Sequence, residues 1–304
     1  MVSVIAQMAL TIGVGVLWRY VDLGGWSAER ARGALTTAVY YIFLPALVLA
    51  VLWRAPLGVE SLKIALAAAT GVLVSLAAMA AVGRMMRLTR GQYGALLLAA
   101  SFPNATYMGL PLMVSLFGDA GGAIAIQFDL FACTPILLTL GVFLASKYGT
   151  HPETLHPLHA LLKVPPLWAA AIGTLLNLAG VPQPDWAGAF LNRLGEAVVP
   201  IMLLALGMSL RLGTLTPKHL LKVSPALVIQ LLLMPLAALL MVMALGVTGD
   251  TRVAVVLIAA TPTMVIGLVL CDRFGLDTEM YATTATASLL LVLITLPLWH
   301  HFLV

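Results

Sequence analysis

The sequence predicts an all-α polytopic membrane protein of ten transmembrane helices, arranged as two inverted five-helix repeats. Three observations carry this expectation. The chain of 304 residues is 62% apolar and only 9% charged, with a mean hydropathy of +1.05, whereas a soluble domain carries about 25% charged residues. Apolar runs of about 20 residues recur from end to end, each long enough to cross about 30 Å of hydrocarbon. The alternating segments of about ten residues that mark a transmembrane barrel are absent.

Taken in order, the spans read as 2–18, 34–53, 61–82, 93–117, 122–146, 166–181, 189–210, 221–246, 251–273 and 279–302. The first has no Lys or Arg before it and Arg19 after it, which makes it a span and not a cleavable signal. The second and seventh each hold one interior proline, Pro45 and Pro200; these, with Pro135 and Pro235, read as helix kinks. The fourth and ninth are interrupted, and the sixth is short. No connection is long enough to form a soluble domain. The longest, 147–165, holds His151, His156 and His159, whose spacing fits no standard metal motif and reads as a solvated loop. Cys133 and Cys271 fall inside spans and read as small apolar fillers, without a disulfide.

Lysine and arginine set the orientation. The connections after spans 1, 3, 5, 7 and 9 carry Arg19, Arg30, Arg32, Arg84, Arg87, Arg90, Lys147, Lys163, Arg211, Lys218, Lys222 and Arg273. The opposite side has only Arg54, Lys63, Arg193 and Arg252. The positive-inside rule puts the richer set in the cytoplasm and both termini outside. The net charge of +4 follows from this bias and implies no nucleic-acid partner.

Five spans per half place the second half upside down relative to the first. The interrupted spans match each other across the halves. LLLAASFPNATYMGLPLMVSLFGD aligns with VLIAATPTMVIGLVLCDRFGLD, pairing Ala100 with Ala260, Ser101 with Thr261, Pro103 with Pro262, Gly109 with Gly267, and Phe117-Gly118 with Phe274-Gly275. A proline removes a backbone donor and clashes with the preceding turn, so a helix parts there. Irregular backbone at membrane depth is tolerated only within protein or beside a watery cavity. Paired interruptions in two halves are the sequence pointer to a transporter binding site. Each downstream half-helix would offer amide donors and the positive end of its dipole around 104–108 and 263–266, which favours an anion. The candidate substrate-binding residues are therefore Ser101, Pro103, Asn104, Thr106, Thr261, Pro262 and Thr263. The fifth span adds Gln127 and Asp129. An acid inside a membrane is costly and marks function by default, and Asp129 could load and release a coupling proton or ligate sodium. No other cofactor and no structural metal are expected.

Pro103, Asn104, Gly109, Leu110 and Pro111, with Phe43-Leu44-Pro45-Ala46-Leu47 and the run from Pro200 to Gly207, resemble the auxin efflux carrier family over essentially the whole chain. The short connection after the fifth span is similar to the bacterial branch. The resemblance implies two inverted repeats, residues 1–149 and 166–304, joined by a cytoplasmic linker at 150–165, with spans 4 and 9 crossing as broken helices, similar to bile-acid symporters and sodium/proton antiporters. It implies a scaffold of spans 1, 2, 6 and 7 that forms a homodimer surface, and an elevator-type transport domain of spans 3–5 and 8–10. It also implies a bacterial inner-membrane location and small organic anions as substrates, such as malonate, malate or auxin-like acids. Asn104 carries the family motif; the equivalent place in span 9 holds Pro262-Thr263, without the second carboxamide of the plant pattern.

The remaining polar residues read more plainly. Glu196 caps or snorkels at the head of span 7, Asp272 and Arg273 sit at the interface, and Asp119 is solvated. Asn177 lines a cavity or bonds a neighbouring helix, and Tyr40 or Tyr41 lines the site. The chain has no His-Glu-x-x-His, no Gly-x-Ser-x-Gly and no phosphate-binding Gly-x-x-x-x-Gly-Lys-Ser/Thr, which argues against an enzyme and against nucleotide-driven transport. Gly207-Met208-Ser209-Leu210 lacks an intramembrane histidine as base. Nothing outside the membrane is large enough to read out a signal. The expected function is secondary transport of organic anions by alternating access, proton-coupled or potential-driven; sodium-coupled symport is the alternative.

Overall fold

The computed structural model describes residues 2–21, 24–150 and 161–304. Among them the secondary structure is helical, and an isolated β-bridge joins two helix breaks. The elements are α1 (Val2–Trp18), α2 (Ala28–Arg54), α3 (Val59–Met85), α4 (Arg90–Ser101), α5 (105–117), α6 (119–148), α7 (Pro165–Leu178), α8 (Asp185–Ser209), α9 (Pro217–Ala244), α10 (Gly249–Ala259), α11 (Ile266–Phe274) and α12 (Thr278–Leu303). Several long, apolar stretches reach the length needed to cross a membrane, including α2, α3, α9 and α12. The histidines at 151, 156 and 159 lie outside the described residues.

The helix between 105 and 148 does not run straight. Gly118 takes φ 59° and ψ −146°, a conformation open to glycine. A Cβ on Gly121 would strike the Met113 carbonyl, so α5 and α6 fold back on each other at this point. The corresponding Phe-Gly after α11 behaves alike, with Gly275 at φ 66° ending that helix in a left-handed cap. Within α8, the turn at Glu196 and Ala197 separates two helical segments, so the expected span at 189–210 is bent.

The centre is built from α4 and α10. Beyond their polar first turns both are apolar on every side, as a helix must be when protein surrounds it, and Ala95 to Ala100 and Val255 to Ala260 are almost wholly buried. Around them α3 lies on α9, α1 on the second segment of α8, and α7 on α2. These contacts rest on small residues. A Cβ on Gly71 would touch Met234, and one on Gly173 would touch Leu52. Asn177 donates from Nδ2 to the carbonyls of Trp53 and Ala55 at 2.9 and 2.8 Å, while Trp53 Nε1 donates to Val181 O at 2.8 Å. Asn177 is therefore a helix–helix clasp that satisfies the end of α2.

Helices α1 and α8 approach closely where Gly15 and Gly207 face each other. A Cβ on Gly207 would come 3.0 Å from Gly15 Cα and overlap the Ile12 carbonyl. Close backbone approach through small residues is how membrane helices gain packing without a hydrophobic drive. Gly207→Ala is expected to cost about 1–3 kcal/mol of stability, read as a lowered melting temperature of the protein in detergent.

Candidate functional site at the helix crossing

Pro103 ends α4. Its ring pushes Phe102 into extended backbone at φ −117° and ψ 109°, and its nitrogen carries no hydrogen. The chain breaks again at Thr261-Pro262, between α10 and α11. The two breaks meet and bond to each other as a short antiparallel pair. Asn104 N donates to Pro262 O at 2.7 Å, Met264 N donates to Phe102 O at 2.9 Å, and Pro103 faces Thr263 across the bridge. Two interrupted helices inside protein thus supply each other's missing partners.

Side chains satisfy most of what remains. Thr263 Oγ1 donates to Ala99 O at 2.9 Å, Thr261 Oγ1 to Ile258 O at 2.7 Å, and Gln230 Nε2 to Thr261 O at 3.1 Å. Thr263 N is taken by Ser288 Oγ at 3.0 Å, and the Tyr281 hydroxyl donates to Met264 O at 2.6 Å. Ser101 Oγ is buried without a protein partner.

Downstream of the first break, Asn104 caps α5, its Oδ1 accepting from Tyr107 N at 3.1 Å. The Asn104 side chain is fully buried, yet its Nδ2 has no protein partner. Asn104 lines a cavity of about 80 Å³ together with Tyr40, Thr106, Tyr107, Asp129, Thr134 and Met264, among others. Asn104 and Met264 flank the bridge on opposite strands, and both line the cavity.

Asp129 is 4% exposed and accepts hydrogen bonds from Thr106 Oγ1 and, at 3.0 Å, from Thr134 Oγ1. The second bond spans five residues. Positions i and i+5 do not stack in an α-helix, but residues 129–133 form a wider π-helical turn that brings them together. Similar turns hold Tyr40 (Val39–Phe43), Thr106 and Tyr107 (Ala105–Gly109) and Gln230 (Ile229–Leu233). The polar groups around the crossing stand on locally widened helix, a feature often found at functional sites.

A second, larger cavity of about 390 Å³ adjoins the first. It is lined by Arg32, Thr36, Thr37, Tyr41, Leu206 and Val269, among others, and it shares Tyr40, Tyr107 and Ile266 with the inner cavity.

Of the residues singled out in the sequence, Asn104, Thr106 and Asp129 share the inner cavity, and Tyr40 joins them. Ser101, Pro103, Thr261 and Thr263 are buried in the crossing itself. Pro262 and Thr263 also border a small cavity of about 20 Å³ elsewhere. Gln127 is buried with Oε1 unpartnered and is not among the residues lining the inner cavity. Ser209 bonds its own helix at Leu206 O. Cys133 and Cys271 are buried and unpaired. Among the described residues no three His, Cys, Asp or Glu side chains gather as a metal site would require. Tyr107, Thr134, Gln230, Tyr281 and Ser288 were not anticipated. Gln230, a carboxamide inside an apolar span, carried the signal that could have found it.

The family profile described as "Membrane transport protein" matches residues 22–300. The chain belongs to this family, the auxin efflux carriers. Its members include an uncharacterized transporter of Methanothermobacter thermautotrophicus, 29% identical over 300 residues and covering 96% of each chain. The uncharacterized transporter YfdV of Escherichia coli is 25% identical over 226 residues, 71% of this chain and 70% of its own length. A transporter of Methanocaldococcus jannaschii is 25% identical over 223 residues, again 71% of this chain and 70% of its own. The family and the long apolar helices together establish a multi-pass membrane transport protein.

Proposed function

We propose that the protein is a secondary transporter of small organic anions that works by alternating access around the helix crossing. The observation that carries this reading is Asn104 Nδ2, a fully buried donor without a protein partner, on a residue that lines a cavity beside two crossed helix breaks. A buried donor left unpaired is costly, and a carboxylate of the substrate is the acceptor that would complete it. The N-terminal turn of α5 adds its positive dipole end at the same place. In this reading the ten predicted spans form two inverted five-helix repeats, and α1, α2, α7 and α8 make a scaffold and homodimer surface against which the rest moves as an elevator. The Lys/Arg bias supports termini outside the bacterial inner membrane, with the larger cavity open to the cytoplasm.

Asp129 supports proton coupling. It shares the inner cavity with Asn104, and two carboxylates in so small a low-dielectric space repel strongly. An anion would be admitted with a proton on Asp129. Sodium coupling has one observation in its favour: the buried oxygens of Ser101, Gln127 and Gln230 lack partners. Tracer uptake into proteoliposomes separates these readings. The panel is malonate, malate, succinate, acetate and indole acetate, with an imposed pH gradient or an imposed sodium gradient. Uptake of at least one acid driven by the pH gradient is expected. Uptake that requires sodium would replace proton by sodium coupling, and absence of uptake for every acid under both gradients would contradict the anion reading.

A further inference from the structure

We propose that Arg32 forms a second, outlying anion subsite, where the substrate's carboxylate is held before it passes between Tyr40 and Tyr107 into the inner cavity. This rests on the organic-anion reading above. Arg32 stands on the first turns of α2, half-buried in the wall of the 390 Å³ cavity. Among the described residues no carboxylate lies within ion-pairing distance of it. A guanidinium cannot shed its charge. Held in a concave, largely apolar wall, it is a fixed positive charge whose field is focused into the cavity. Its fork of donors fits a carboxylate with two parallel hydrogen bonds. Tyr40, Tyr41 and Tyr107 line the same wall, with Thr36 and Thr37, whose hydroxyls donate to Arg32 O and Gly33 O of their own helix.

The arrangement of the two cavities gives the subsite its role. Tyr40, Tyr107 and Ile266 line both, so they form the partition between them. Tyr40 and Tyr107 each stand on a π-helical turn, and Tyr107 is three residues from Asn104. Beyond the partition lies Asp129, which opposes an unaccompanied anion. An anion arriving from the wide cavity therefore meets a permanent cation first and a protonatable acid second. The ligand class is a small carboxylate. A lipid phosphate offers the same anionic chemistry, and the test separates the two sources.

The test has two arms. In the first, wild-type protein in nanodiscs of phosphatidylcholine is treated with phenylglyoxal, and modification of Arg32 is followed by mass spectrometry with Arg30 as the internal reference. Saturating malonate or malate is expected to slow modification of Arg32 selectively. Protection that comes from adding phosphatidylglycerol to the disc, and not from either acid, would overturn the proposal in favour of a lipid site. In the second arm, uptake of the same acids is measured in everted vesicles, with the wide cavity toward the bath. Arg32→Gln is expected to raise KM about tenfold or more, the loss of one charged hydrogen-bonding partner, with a smaller rise for Arg32→Lys. An unchanged KM together with no protection by acid would overturn the subsite while leaving the transport reading intact. Protection by an acid that is not transported would uphold the subsite and defeat the transport reading. Neither protection nor uptake would defeat both.

Discussion

Asn104→Ala abolishes saturable uptake of the transported acid while the protein keeps its monodisperse profile and cooperative melting. The variant removes a fully buried donor that the protein leaves unpaired, on a residue lining the inner cavity. A hydrogen bond to a charged group contributes about 1.5–3 kcal/mol, which corresponds to roughly a 10- to 150-fold loss of affinity. The same change also removes the cap on Tyr107 N, at about 1 kcal/mol of stability. The backbone bonds from Asn104 N to Pro262 O and from Met264 N to Phe102 O do not depend on this side chain, so the crossing survives. Asn104→Asp isolates the donor from the cap: it keeps an oxygen for Tyr107 N and replaces the amide with an anion. It is expected to be as inactive in uptake as the alanine variant and closer to wild type in melting temperature. Normal uptake by Asn104→Asp would show that the amide is not the substrate's partner.

Asp129→Asn gives a carrier whose rate no longer responds to pH. On the proton-coupled reading, an anion binds beside Asp129 only when that acid is protonated, and wild-type uptake is expected to rise as the medium becomes more acidic. Asparagine keeps an acceptor oxygen for one of the two hydroxyls that hold the carboxylate, Thr106 and Thr134, offers its NH2 to the other, which can turn to accept, and is permanently neutral. The variant should bind acid as the protonated wild type does. It should equilibrate the acid across the membrane without accumulating it against a gradient when a pH difference is imposed. Parallel tracer uptake at several pH values, with and without that difference, reads both effects. A variant whose uptake keeps the wild-type pH profile would remove Asp129 from the coupling.

What could be read in the sequence was whatever depends on the chain locally. Apolar length places the helices, because hydrocarbon thickness sets it. Pro103 and Pro262 place the breaks, because a proline cannot continue the hydrogen-bond ladder. Asn104 and Asp129 stand out because polar groups at depth are costly. What was hidden depends on helices that meet or on turns that depart from 3.6 residues. The bond from Thr134 to Asp129 needs a π-helical turn, so a search at helical spacing passes over it. Gln230 and Ser288 find their roles only when α9 and α12 pack against the second break. The alignment of Pro103 with Pro262 was nearly the spatial pairing, but the bridge sets Pro103 against Thr263 and Pro262 against Asn104. That one-residue offset leaves Pro262, and no second carboxamide, across from Asn104. The same offset makes Thr261 and Thr263 braces of the crossing, while the inner cavity draws its hydroxyls from Tyr40, Thr106, Tyr107 and Thr134.

Equilibrium binding of the best-transported radiolabelled acid, to purified wild type and to Asn104→Asp side by side, is the most direct test of the claim that the helix crossing is the anion site. The account predicts saturable binding to the wild type at acidic pH and none to the variant at the same concentrations. Equal binding to both proteins would place the anion elsewhere and contradict it.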